Sequence, residues 1–123
     1  MKGKLADVIE KYRRSPEFLF VQIGDVNQPG MTGDTLLHAA VVRGQMEDLI
    51  VLIDGGANVN VRGDLGSTPL HYAASRGLDE IAKALLRYGA SADIKNQFGE
   101  TPLDLAKLMD KPEIVRLLQD HIR

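Results

Sequence analysis

The chain has 123 residues, 44% of them apolar and 26% charged, which is the composition of one soluble globular domain and not of a disordered segment. A formal net charge of −2 gives no electrostatic reason to expect nucleic acid or an anionic membrane as partner, and the absence of cysteine excludes disulfides and thiolate metal sites. Asp7 lies where a signal peptide would need an apolar run, and nothing approaches the roughly 20 apolar residues of a membrane span, so a cytoplasmic protein is expected.

In chain order, Leu5, Val8, Ile9 and Tyr12 recur at helical spacing and predict a one-sided helix over 4–14. Ser15-Pro16-Glu17 reads as the start of a second, short and unusually apolar helix through Ile23, ended by Gly24-Asp25. Helices are then predicted near 36–43, 46–54, 68–75, 79–87, 101–108 and 112–122, with Gly44, Gly55-Gly56 and Gly89 as stops. Between them, 58–66 and 91–100 are too polar and turn-rich for helix and read as extended, hairpin-like fingers.

These elements repeat. Gly66-Ser67-Thr68-Pro69-Leu70-His71-Tyr72-Ala73-Ala74 recurs thirty-three residues earlier from Gly33 and thirty-three later from Gly99. A fixed period of this length marks an all-α stacked repeat, an α-solenoid, here with units at 1–33, 34–66, 67–99 and 100–123 and degenerate first and last units. Leu37, Leu70 and Leu103 share a column, as do Ala40, Ala73 and Ala106, and Leu52, Leu85 and Leu118. The neighbouring column reads Val41, Ala74 and then Lys107, so residue 107 is expected to face solvent and the stack to end there, as a capped single domain.

The chain resembles the ankyrin repeat family in Thr68-Pro69-Leu70-His71-Tyr72-Ala73-Ala74, Gly77, Leu85-Leu86 and Gly89-Ala90. Leu37-His38-Ala39-Ala40 and Gly56-Ala57-Asn58-Val59-Asn60 carry the same pattern, with Leu36 in place of the proline. The last unit departs from it at Asp104 and Asp110. The resemblance implies paired antiparallel helices stacked in an L, with fingers projecting to one side. It also implies that His38 and His71 tie a helix start to a finger and are not catalytic.

No catalytic constellation competes with that reading. The histidines recur one per repeat with no third ligand or nucleophile. Asp25, Asp34, Asp64, Asp93 and Glu100 match no calcium loop, and the glycines match no phosphate-binding loop, so no enzyme activity, metal or cofactor is expected. A stack of this kind acts by its surface. By resemblance, the protein-binding positions are Met31, Asp34, Arg62, Asp64, Leu65, Ser67, Lys95, Gln97, Phe98 and Glu100 on the fingers, with Arg43, Tyr72, Ser75, Arg76 and Met109 on the helices.

Leu65 and Phe98 share a finger-tip column, with Met31 one position off, and a turn needs no such residue to fold. Arg43, Arg76, Arg62 and Lys95 form a basic stripe beside them, which suits a protein partner with an acidic rim and an apolar pocket. The expected role is that of a monomeric inhibitor or immunity-type protein that covers its partner. The alternatives are a self-associating assembly subunit using the apolar segment 18–23 and a nucleic-acid binder using the basic stripe.

Overall fold

The computed structural model describes residues 2–19 and 21–122. Among these are seven α-helices, α1 (Lys2–Arg13), α2 (Leu36–Val42), α3 (Met46–Asp54), α4 (Pro69–Arg76), α5 (Asp79–Arg87), α6 (Pro102–Leu108) and α7 (Pro112–Ile122), and no strand. None of them is long and apolar enough to cross a membrane.

Three helices start by one device. Thr35, Thr68 and Thr101 hold extended backbone just before α2, α4 and α6, and the Thr68 and Thr101 side chains accept the N–H of the third helical residue, at 3.4 and 3.2 Å. That third residue reaches back in turn. His38 Nδ1, His71 Nδ1 and an Asp104 carboxylate oxygen each accept the threonine N–H at 3.0 Å. The pair satisfies two of the four N–H groups that a helix start leaves open. The first helix of each pair ends in a left-handed residue, Gly44 (φ 67°), Gly77 (φ 70°) and Asp110 (φ 55°), so the aspartate that breaks the glycine column keeps the same turn.

The turns between paired helices are only three residues or fewer, so the partners fold back on each other: α2 on α3, α4 on α5 and α6 on α7. α2, α4 and α6 then lie side by side as an inner row, and α3, α5 and α7 form the outer row. The Leu37/Leu70, Ala40/Ala73/Ala106 and Leu52/Leu85/Leu118 columns are fully buried. Alanine lets the inner helices approach closely. Val41 and Ala74 are buried as well, whereas Lys107 in that column is exposed, as its charge requires.

The first unit departs from the sequence reading. In place of a helix over 17–23 there is one 3-10 turn, Pro16–Phe18. Phe20 lies outside the described residues. The cause is local: the Glu17 carbonyl accepts the Met31 N–H at 2.8 Å, so a helical bond to residue 21 is not formed. Phe18 is fully buried, which removes it from any self-associating surface. α1 leans instead across α3 and α2 and runs antiparallel to α3, with Tyr12 bonded to Asp48 at one end and Leu5 over Gly55 at the other.

The fingers are closed turns and not a β-ladder. Gly30, Gly63 and Asn96 each donate N–H to the carbonyl four residues on, at 2.7, 2.8 and 2.9 Å. Asparagines thirty-three apart clamp neighbouring units: Asn27 accepts from Asn58 N–H and donates to Gly56 O, and Asn60 accepts from Ser91 N–H and donates to Gly89 O. The tip at Leu65 has φ 57° inside the Asp64–Gly66 turn, a left-handed conformation that costs a leucine about 1 kcal/mol and that asparagine tolerates. Leu65→Asn is therefore expected to raise the urea unfolding free energy by up to about 1 kcal/mol, since the leucine side chain stands half in solvent.

Candidate protein-binding surface

His38 and His71 tie the units together. Each imidazole accepts the threonine N–H at Nδ1, which leaves the proton on Nε2. From there His38 donates to Ser67 O and His71 to Glu100 O, both at 2.8 Å, where the finger after each histidine leads into the next unit. Both side chains are completely buried, and that burial holds both pKa values below the usual histidine range. Both rings have all their polar atoms engaged in structural bonds. Among the described residues no group of three or more His, Cys, Asp or Glu stands close enough to hold a metal ion.

The finger tips and the ends of the inner helices carry the proposed contact residues. Met31, Leu65 and Phe98 are 63%, 49% and 67% exposed, one large apolar side chain on each of three successive fingers. The fingers are joined at this point, because Gln97 donates its N–H to Leu65 O at 2.9 Å while its side chain stays exposed. Met109 and its neighbour Leu108 are exposed at the end of α6. Asp64 is exposed, as are Arg76 and Lys95, which form no ion pair among the described residues.

The other positions have internal roles. Ser67 is buried: its carbonyl takes the His38 proton and its N–H bonds to Asp64 O, so it is not available to a partner. Arg43 is not part of a free basic stripe either. Its guanidinium lies 4.5 Å over the Tyr12 ring and donates to Ser15 Oγ and, at 3.1 Å, to Glu17. Arg62 is exposed but donates to the Lys95 carbonyl at 2.9 Å, one finger further on. The four-cation stripe thus reduces to Arg76 and Lys95.

Asp34 and Tyr72 are tied to each other. The phenol donates to the carboxylate at 3.0 Å, and Asp34 also accepts the Asp64 N–H at 2.8 Å. Burial and this carboxylate push the Tyr72 pKa well up. Ser75, half-buried, donates to Tyr72 O, and Glu100 accepts from Asn96. The Arg43–Tyr12 contact spans residues far apart in sequence and has no local signal. The Ser67 role has one, since it sits inside the most regular stretch of the repeat.

A family model described as ankyrin repeats (three copies) matches residues 10–96 and 37–123. No curated protein matches the chain. The periodic helix pairs, the histidine ties and this match over most of the sequence agree: the chain belongs to the ankyrin-repeat family, whose repeats generally mediate binding to other proteins.

Proposed function

We propose that this chain binds a protein through its finger tips, with Met31, Leu65 and Phe98 as apolar anchors and Arg76 and Lys95 as flanking cations. The observation that carries the reading is the row of large apolar side chains held in solvent on three consecutive fingers, where folding has no use for them. The left-handed Leu65 supports it, because strained backbone under an exposed apolar side chain is tolerated where the side chain has a task. The fitting partner has an apolar pocket rimmed by acids, and the proposed role is inhibition or neutralisation by occlusion. Asp34, Tyr72, Ser75 and Glu100 set the shape of the surface through their internal bonds.

The test is capture of a partner by the Leu65→Ala, Arg76→Ala, Phe98→Ala triple variant. Central aromatic, aliphatic and arginine anchors contribute on the order of 2 kcal/mol each, so affinity is expected to fall by at least about a hundredfold with the fold intact. A folded triple variant that holds the same partner with undiminished affinity removes this surface from consideration.

A further inference from the structure

On the outer row, behind the fingers, two grooves open on the same side. Ile50 and Lys83 share a column of the repeat, as do Asp54 and Arg87, so the outward phases of α3 and α5 coincide. The first groove, about 630 Å³, lies between α1 and α3, where the missing second helix of the first unit leaves α3 without an outer neighbour on that side. It is lined by the apolar side chains of Leu5, Ile50 and Val51 and by the acids Glu47 and Asp54, with Lys4 as the one cation. The second, about 490 Å³, lies between α5 and α7; Leu86 and Leu117 form its floor, Lys83 and Arg87 its basic rim, and Asp120 is the one acid.

Each groove has a half-buried apolar floor, and the charges are reversed, even in the exceptions Lys4 and Asp120. Glu47, Asp54 and Arg87 form no ion pair among the described residues, and Lys83 has only the surface pair to Glu80 at 3.3 Å, which is weak enough to exchange. Glu47 and Asp54 stand about 10 Å apart along α3, flanking Ile50, as a ridge suited to the trough between two helices.

We infer that the occupant of this outer face is a second copy of the chain, related by a two-fold axis, with α3 of each copy lying in the α5–α7 groove of the other. Such an isologous contact uses one acidic and one basic site per chain, so the same contact is made twice and every site is satisfied once. It leaves both finger surfaces facing outward, and the pair would present them to two partners at once.

Sedimentation velocity over a concentration series tests this on the intact chain. The wild type is expected to move from monomer toward dimer as concentration rises, less so in high salt. The charge reversals Glu47→Lys with Asp54→Lys, and Lys83→Glu with Arg87→Glu, affect exposed side chains, so folding is expected to persist, with circular dichroism as the check. Each variant alone is expected to weaken dimerisation at least about tenfold, and an equimolar mixture of the two to restore it, because one outer face is then basic apart from Asp120 and the other acidic apart from Lys4. A wild type that stays monomeric at millimolar concentration overturns the inference. So does a mixture no more associated than its separate components.

Discussion

His71→Ala is expected to lower the thermal midpoint by roughly 10 °C. The substitution removes a fully buried ring, leaves the Thr68 N–H without a partner and the Glu100 carbonyl with the Asn96 N–H alone, and opens a void between α4 and the next finger. The lost bonds and the void together cost about 3 kcal/mol, which for a chain of 123 residues corresponds to that shift. His71→Gln keeps an acceptor and a donor at similar reach and is expected to lose about half as much. Calorimetry of the two variants separates the bonds from the bulk of the ring.

The same burial sets a pH dependence. Folding holds the His38 and His71 pKa values below the ordinary 6.5, so the unfolded chain takes up protons that the folded chain refuses. Stability is therefore complete above pH 6.5 and falls as pH drops from there toward the folded values, by at most about 1.4 kcal/mol per pH unit for each histidine. Urea midpoints between pH 8 and 5 measure it. The double variant His38→Gln, His71→Gln is expected to show a distinctly shallower slope, and an unchanged slope would place the acid sensitivity elsewhere.

The second large effect concerns the first unit. Tyr12 is completely buried, donates to the Asp48 carboxylate at 2.9 Å and lies beneath Arg43, and Lys11 holds the same carboxylate at 2.8 Å. Asp48 is itself nearly buried, so removing the phenol leaves a desolvated charge with one partner fewer. Tyr12→Ala is expected to cost about 4 kcal/mol locally and to release α1 and the Pro16–Phe18 turn while α4 to α7 stay folded, since terminal units of a stack touch only their neighbour. Hydrogen exchange reads this directly: protection should collapse over 2–18 and persist over 69–122. Uniform loss of protection would mean that the first unit is integral to one cooperative fold.

Most of the architecture is legible in the sequence because the repeat averages out local ambiguity. One Leu-x-x-Ala segment is open to several readings, but its recurrence from 37, 70 and 103 identifies the buried alanine column. The misread helix at 17–23 lies where no second copy checks it. Its apolar run and Ser-Pro-Glu start are good helix signals, yet Met31 captures the carbonyl the helix needed, and that bond between residues 17 and 31 is invisible in either segment alone. The surface divides in the same way. Exposure of Met31, Leu65 and Phe98 follows from turn positions, whereas the engagement of Arg43 by Tyr12 and of Asp34 by Tyr72 depends on contacts across units. Ser67 has the side chain of a surface residue, yet it is buried and the fold uses its backbone carbonyl as the acceptor for His38.

The histidine ties also run one way. His38 finds its acceptor in the finger after it, and so does His71, but Asp104, which stands in their place in α6, bonds the Thr101 N–H and asks nothing of a following finger. The helix pairs are therefore not interchangeable parts. The α2–α3 and α4–α5 pairs each require a successor, and either could be duplicated in the middle of the stack with every imidazole still served. The α6–α7 pair moved inward would put an anion and Lys107 where a proton donor and an alanine-sized contact belong, so the grammar of this stack is directional.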